Sequence, residues 1–258
     1  MSLVDVLFLL LAGFAASAVN ALAGGGSLIT FPTLIALGLP PVAANVTNSL
    51  GVSPGYVASV VGSRHDLADL ARRRGRGTLL SLLPTSVIGT AAGCAILLAT
   101  PGRAFELVVP FLILGATAVL ALQPRIRALV GHPRDLTAQQ SRLALHALVF
   151  LGSAYGGYFG AALGVMLVAV LALVLDESLR YVSALKNAIS AVSGLVTVVA
   201  FAVFGPVDWV AVAVLVPATL AGGYLGSRVL MRLSPRILRV LIVAIGAVVG
   251  VVLLVRAL

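Results

Sequence analysis

The sequence predicts an all-α polytopic membrane protein built from two inverted repeats. Three observations carry that prediction: composition, a twice-broken hydropathy pattern, and the placement of arginine. Of the 258 residues, 60% are hydrophobic and only 10% are charged, and the mean hydropathy is +1.15. Soluble domains carry about 25% charged residues. Apolar runs recur with short gaps over the whole chain, several near the roughly 20 residues that span a bilayer. The net charge of +9 does not indicate a nucleic-acid partner, because the basic residues lie between apolar segments rather than on a water-facing fold.

The apolar segments run over 3–22, 27–39, 42–62, 78–99, 105–122, 143–162, 164–175, 179–204, 208–227 and 237–257. The first resembles a signal peptide at Ala16-Ser17-Ala18, but no Lys or Arg precedes Arg64, so the basic n-region is missing and it is read as a retained helix. The segments 27–39 and 164–175 are too short to cross alone: at 1.5 Å per residue they reach roughly 20 Å, against a core of about 30 Å.

These short segments follow the two breaks. Gly24-Gly25-Gly26 opens the first at Ser27. Gly156, Gly157, Gly160 and Gly164 precede the second at Val165. Interrupted apolar segments at matching places of two halves point to a transport site. Other residues recur as well. Asn48 and Gly55 return 139 residues later as Asn187 and Gly194, and Pro84, Gly89 and Gly93 return with the same spacing as Pro217, Gly222 and Gly226. The implied units are 1–122 and 143–258, joined by a linker at 123–142.

Arginine orients them. Arg64, Arg72, Arg73, Arg74 and Arg76 occupy a loop at 63–77; Arg125, Arg127, Arg134 and Arg142 a second; Arg228, Arg232, Arg236 and Arg239 a third turn. These groups hold 13 of the 17 Lys and Arg residues, which assigns them to the cytoplasm. The stretch 143–204 then makes a net in-to-out passage. A similarly folded 1–62 runs out to in, so both termini lie outside and the halves are inverted. Each broken pair is either a re-entrant hairpin or two tilted crossings; both give an odd number of passages per half.

A helix starting at a mid-membrane break points unpaired N–H groups into a cavity and favours an anion. Polar residues cluster downstream of each break: Asn45, Thr47, Asn48, Ser49 and Ser53 in the first half, with Pro54-Gly55 interrupting the helix, and Ser183, Lys186, Asn187, Ser190 and Ser193 in the second. Ser183, Lys186, Asn187 and Ser190 share a helical face. Lys186 is an ionisable residue within a span and a counter-charge for an anion; its counterpart is Thr47. The candidate substrate-binding set is Gly24, Gly25, Gly26, Ser27, Asn48, Gly164, Lys186, Asn187 and Ser190. Asp66 and Asp69 are expected to offset neighbouring arginines. His65, His132 and His146 are scattered and Cys94 is the lone cysteine, so no metal or hydrolytic constellation forms.

The run from Ala23 to Leu34 (AGGGSLITFPTL), with Leu37-Gly38-Leu39-Pro40-Pro41 and Ala44 to Ser49, resembles the TauE/SafE family of membrane exporters. Tyr158 to Met166 and Ala184-Leu185-Lys186-Asn187 are similar to that family's second repeat, although only Gly164 keeps the place of the glycine triplet. The resemblance implies secondary transport of a small anion, such as sulfite, an organosulfonate or another small organic acid, across the bacterial cytoplasmic membrane. It implies a coupling proton or sodium ion and no other cofactor. The lipid bilayer is the expected surrounding. Oligomeric state is open, a homodimer included. A passive anion channel is the rival reading.

Overall fold

The structure, a computed structural model, describes residues 1–22, 25–129, 137–175, 177–223 and 235–257. Among these it is all-helical. The elements are α1 (Leu3–Leu22), α2 (Ser27–Ala36), α3 (Pro41–Gly62), α4 (Arg64–Arg74), α5 (Arg76–Ala99), α6 (Gly102–Leu129), α7 (Ala138–Tyr158), α8 (Leu163–Val174), α9 (Leu179–Phe204), α10 (Trp209–Ala221) and α11 (Pro235–Ala257). Four described stretches are long and apolar enough to cross a membrane: Leu3–Asn20, Arg76–Ala99, Gly102–Leu122 and Arg180–Phe204. Large apolar side chains such as Leu11, Leu80, Ile88, Phe111 and Leu195 stand exposed along them, as a lipid-facing surface requires.

Local chemistry explains the ends. Pro41 opens α3 at its first turn, where its missing N–H costs nothing. Gly38 adopts φ +91° in the return from α2, a region glycine enters freely. Thr137 and Gln140 form a reciprocal capping box on α7. Asp208 caps α10 by accepting from the Ala211 N–H.

Three features differ from the sequence reading. The expected loop at 63–77 contains a helix, α4. Leu70 is its buried residue and its arginines are exposed, so a short amphipathic helix underlies what reads as an arginine-rich gap. Pro54 does not interrupt α3, which continues through it. Pro removes one internal hydrogen bond and kinks a helix, but around it the Ser53 hydroxyl donates to the Ser49 and Gly194 carbonyls at 2.6 and 3.3 Å. Helix also extends into 123–142 from both sides, to Leu129 and from Ala138.

The two halves pack alike. Exchange α1–α2–α3–α5–α6 with α7–α8–α9–α10–α11, and the contacts α5–α7, α5–α9, α1–α2, α2–α3 and α6–α8 become α1–α10, α3–α10, α7–α8, α8–α9 and α2–α11, all of which occur. The pairs α3–α9 and α6–α11 map onto themselves. α4 has no counterpart among the described residues. Small residues set the closest approaches. A Cβ on Gly89 would collide with the Phe150 carbonyl, and one on Gly222 with the Phe14 carbonyl. Close backbone approach through glycine is a main source of helix affinity in lipid, where burial adds little.

Candidate functional site

Where α3 crosses α9, both broken segments arrive at one small cavity. Its lining includes Ser27 from the start of α2, Asn48, Ser49, Ser53 and Tyr56 from α3, Gly156, Phe159, Gly160 and Leu163 from the second break, and Ser193, Gly194 and Thr197 from α9. The space is about 20 Å³, room for about one water molecule. None of the lining residues carries a charge; hydroxyls, an amide and backbone groups supply the polarity.

The first break is held by a short polar frame. The Gly26 N–H donates to Asn20 Oδ1 at 2.9 Å. A Cβ on Gly26 would collide with the Ala16 carbonyl, so only glycine lets the turn lie this close to α1. Leu28 and Ile29 N–H groups turn back to the Gly25 and Gly26 carbonyls at 3.1 and 2.8 Å. That tight first turn uses donors an open helix end would offer, which leaves the Ser27 hydroxyl as a prominent donor at the cavity. The Tyr56 hydroxyl reaches the side chains of Ser27 and Asn20. Thr30 donates to Asn48 Oδ1, so the Asn48 amide has its NH₂ to present.

The second break is built differently. Gly160 takes φ +72° and Ala162 φ 55°, left-handed conformations that glycine adopts freely and alanine only with strain. The Tyr155 hydroxyl donates to the Ala161 carbonyl at 2.6 Å and pins the turn. The Asn45 amide donates to the Tyr158 carbonyl at 2.9 Å and joins it to α3. Phe159 meets Phe31 edge to face, ring centroids 5.3 Å apart, so the tips touch through an aromatic pair.

The candidate residues separate accordingly. Ser27 and Asn48 line the cavity. Gly25 and Gly26 are buried in the turn before it, and Gly24 lies outside the described residues. Gly164 falls within the first turn of α8, beyond the bend that Gly160 and Ala162 make. Ser190 is buried and its hydroxyl has no partner among the described residues. Lys186, Ser190, Ser193 and Thr197 follow one face of α9 at i, i+4, i+7 and i+11. Lys186 therefore stands two turns from the cavity, roughly 10 Å along the axis, partly buried and without an ion pair among the described residues. Asn187 turns elsewhere and donates to the Ser59 carbonyl and Ser63 hydroxyl at 3.3 and 3.1 Å.

Tyr56, Phe159 and Thr197 were not among the candidates. Two of them had a signal: Ser49-Ser53-Tyr56 and Ser190-Ser193-Thr197 are both face-sharing series on a helix. Behind Ser193 lies a chain of hydroxyls. Thr90 donates to Ser193 at 2.9 Å, Ser153 to Ser86 at 3.0 Å, and Ser86 and Ser193 sit 3.3 Å apart. His146 is tied to Thr85 and Ser81 at 2.8 and 3.3 Å, in agreement with a structural role.

At the arginine-rich end, α4 is clasped to the start of α9. Asp66 pairs with Arg180 of α9 rather than with an arginine of its own helix. Glu177 is held by Arg74 at 2.8 Å and approached by Arg73 at 4.0 Å, and Arg73 stacks over Tyr181 at 5.1 Å. Asp69 does pair with Arg72, as expected.

The sequence model of the family described as "Sulfite exporter TauE/SafE" matches residues 9–253. Similar curated proteins include a "Probable membrane transporter protein" of Haemophilus influenzae, 28% identical over 244 residues, with 93% of this chain and 91% of that one covered. Another is the "Probable membrane transporter protein ORF9" of Sinorhizobium sp, 28% identical over 251 residues, covering 96% and 91%. A third is the "Probable membrane transporter protein YfcA" of Escherichia coli K12, 26% identical over 261 residues, covering 98% and 90%. No solved structure matches. With apolar helices long enough to span a bilayer, two broken segments meeting at a polar cavity and a family match over almost its full length, the chain is a membrane transporter and belongs to the TauE/SafE sulfite exporter family.

Proposed function

We propose that the protein is a secondary transporter for a small anion, with sulfite, organosulfonates and small organic acids as the substrate class, in the bacterial cytoplasmic membrane. The observation that carries this reading is the meeting of both breaks at one uncharged, donor-bearing cavity. Ser27 and the Asn48 amide bind the anion through N–H and O–H donors. Helix starts α2 and α8 add the favourable ends of their dipoles. Lys186 and Ser190 line the next stage of the path on α9, where Lys186 neutralises the anion as it moves between the cavity and the arginine-rich end. Asn187 braces α9 against α3 beside that path.

The halves are inverted in this reading, with the arginine-rich ends cytoplasmic and both termini outside. The paired helix contacts support it, because such packing arises when one repeat is laid against a second related by a twofold axis. Rocking one set of helices against the other exposes the cavity to each side in turn. The cavity's present size, about 20 Å³, suits an occluding carrier better than the open water path of a passive channel. A proton or sodium gradient drives the cycle.

Reconstitution tests the reading. Proteoliposomes loaded with buffer should accumulate radiolabelled sulfite or sulfoacetate above the external concentration when a proton or sodium gradient is imposed, and lose it when the gradient is collapsed. Uptake that stops at equal concentrations under every gradient identifies a channel instead.

A further inference from the structure

At the arginine-rich end of the bundle, α3, α4, α5 and α9 enclose a groove of about 500 Å³ that is separate from the central cavity. That volume falls within the roughly 300–1,000 Å³ of small-molecule sites. Its walls are apolar, with Leu67 of α4, Leu83 of α5 and Ala188 and Val192 of α9 among them. Two lining residues, Leu80 and Leu195, are 60% and 57% exposed, so the groove opens sideways onto the apolar belt.

Arg64 and Arg76 are the charged residues of this lining. The other arginines nearby are matched to carboxylates: Arg72 to Asp69, Arg73 and Arg74 to Glu177, and Arg180 to Asp66. Arg64 hydrogen-bonds its neighbour His65, at 3.4 Å from Nε to Nε2. Neither Arg64 nor Arg76 has a carboxylate partner among the described residues. The result is an apolar slot that opens toward lipid and carries two guanidinium groups without a carboxylate partner among the described residues.

That combination fits one class of molecule. An acyl chain fills a slot that offers no hydrogen bonds. A phosphodiester accepts from guanidinium groups, which bind phosphate in a planar, two-pronged geometry. Basic grooves between helices near the cytoplasmic surface are general sites for anionic headgroups. We propose that this groove binds an anionic phospholipid, with its phosphate on Arg64 and Arg76 and an acyl chain between α4, α5 and α9. The lipid then sits on the back of α9, opposite the face that carries Lys186, Ser190 and Ser193.

The test uses the purified full-length protein in a neutral detergent, with phosphatidylglycerol, phosphatidylcholine or inorganic phosphate added. Native mass spectrometry counts retained lipid and thermal unfolding reads stabilisation. Phosphatidylglycerol should be retained and raise the unfolding midpoint, while phosphatidylcholine and inorganic phosphate should do neither. In the R64Q/R76Q variant the apparent affinity for phosphatidylglycerol should fall about ten-fold or more, a loss of about 1.4 kcal/mol or more, with the midpoint in detergent alone unchanged. Ala188→Phe, which obstructs the slot and leaves both arginines, should also lose retention. Equal retention of phosphatidylcholine overturns the proposal, as does unchanged retention in both variants or a midpoint shift reproduced by phosphate alone. So does a dimer that protects the groove without lipid. None of these readouts depends on anion transport, so failure here leaves the proposed function standing.

Discussion

The two broken segments occupy equivalent places in the packing and are made of different chemistry. The first is a compact glycine turn against α1, capped by Asn20; it delivers the Ser27 hydroxyl to the cavity, and Thr30 of α2 holds the Asn48 amide of α3 beside it. The second is a longer bend with two left-handed residues, pinned by a tyrosine, and it delivers backbone and an aromatic ring. α4 then clasps the return of the second alone. Shared architecture thus sets where the tips meet, while the divergence of the halves sets what each contributes. A membrane transporter whose two sides face different solutions has reason to keep its backbone paired and let its side chains differ.

The glycine contacts test the shared part, with the largest expected effect. Gly89→Ala and Gly222→Ala each force a Cβ into a partner backbone carbonyl. Each should destabilise the protein by about 1–3 kcal/mol, the usual range for overpacking, and by similar amounts. Thermal or denaturant unfolding in detergent checks this. A large loss at one position and none at the other breaks the pairing of α5–α7 with α1–α10.

Lys186 tests the divergent part. Lys186→Ala should weaken anion binding by at least about ten-fold, some 1.4 kcal/mol, and leave the unfolding midpoint near that of the parent. Thr47→Ala, at the matching place, should cost far less binding. Unchanged affinity in the lysine variant, measured by equilibrium binding of sulfoacetate to purified protein, removes Lys186 from the path.

Tyr155→Phe probes the pin at the second break. It removes one hydrogen bond to a buried carbonyl and should cost about 1 kcal/mol. Asn20→Ala, which frees the Gly26 N–H, should cost a similar amount at the first. Hydrogen exchange on the two turns would show each loosening only its own tip. Loosening of both tips by either variant contradicts their independence.

The smallest effect is electrostatic. The hydrogen bond from Arg72 holds the Asp69 carboxyl below its usual range. A depressed folded value means that the contribution is present above the ordinary aspartate pKa of about 3.9 and is lost as pH falls through the folded value. Asp69 is partly exposed and its pair with Arg72 lies at the surface, so Asp69→Asn should leave stability near neutral pH almost unchanged and flatten its acid side slightly. A large shift at pH 7 would show that α4 is tied down through Asp69 rather than through Asp66 and Glu177.

The helices and their order were readable because hydropathy and glycine placement are local signals. Ser27 and Asn48 were readable because they follow a break. The hidden features are those that depend on partners distant in sequence. α4 hides because its arginines mark a loop while Leu67 and Leu70 are too few to form a run. Asn187 reads as the twin of Asn48, yet the antiparallel crossing of α3 and α9 brings Ser59 and Ser63 to it. The second tip reads as Gly164 because glycine is the expected bend, whereas Tyr155 holds Ala162 in a conformation that glycine would take without strain.

Accessibility of Ser27 tests the central claim most directly. In a Cys94→Ala background, Ser27→Cys gives a single thiol at the cavity, and an anionic, membrane-impermeant methanethiosulfonate can be applied to either face of oriented vesicles. The account predicts labelling from both faces, slowed from both by sulfoacetate. Labelling from one face only, or from both with no protection by the anion, would contradict an alternately exposed anion site where the two broken segments meet.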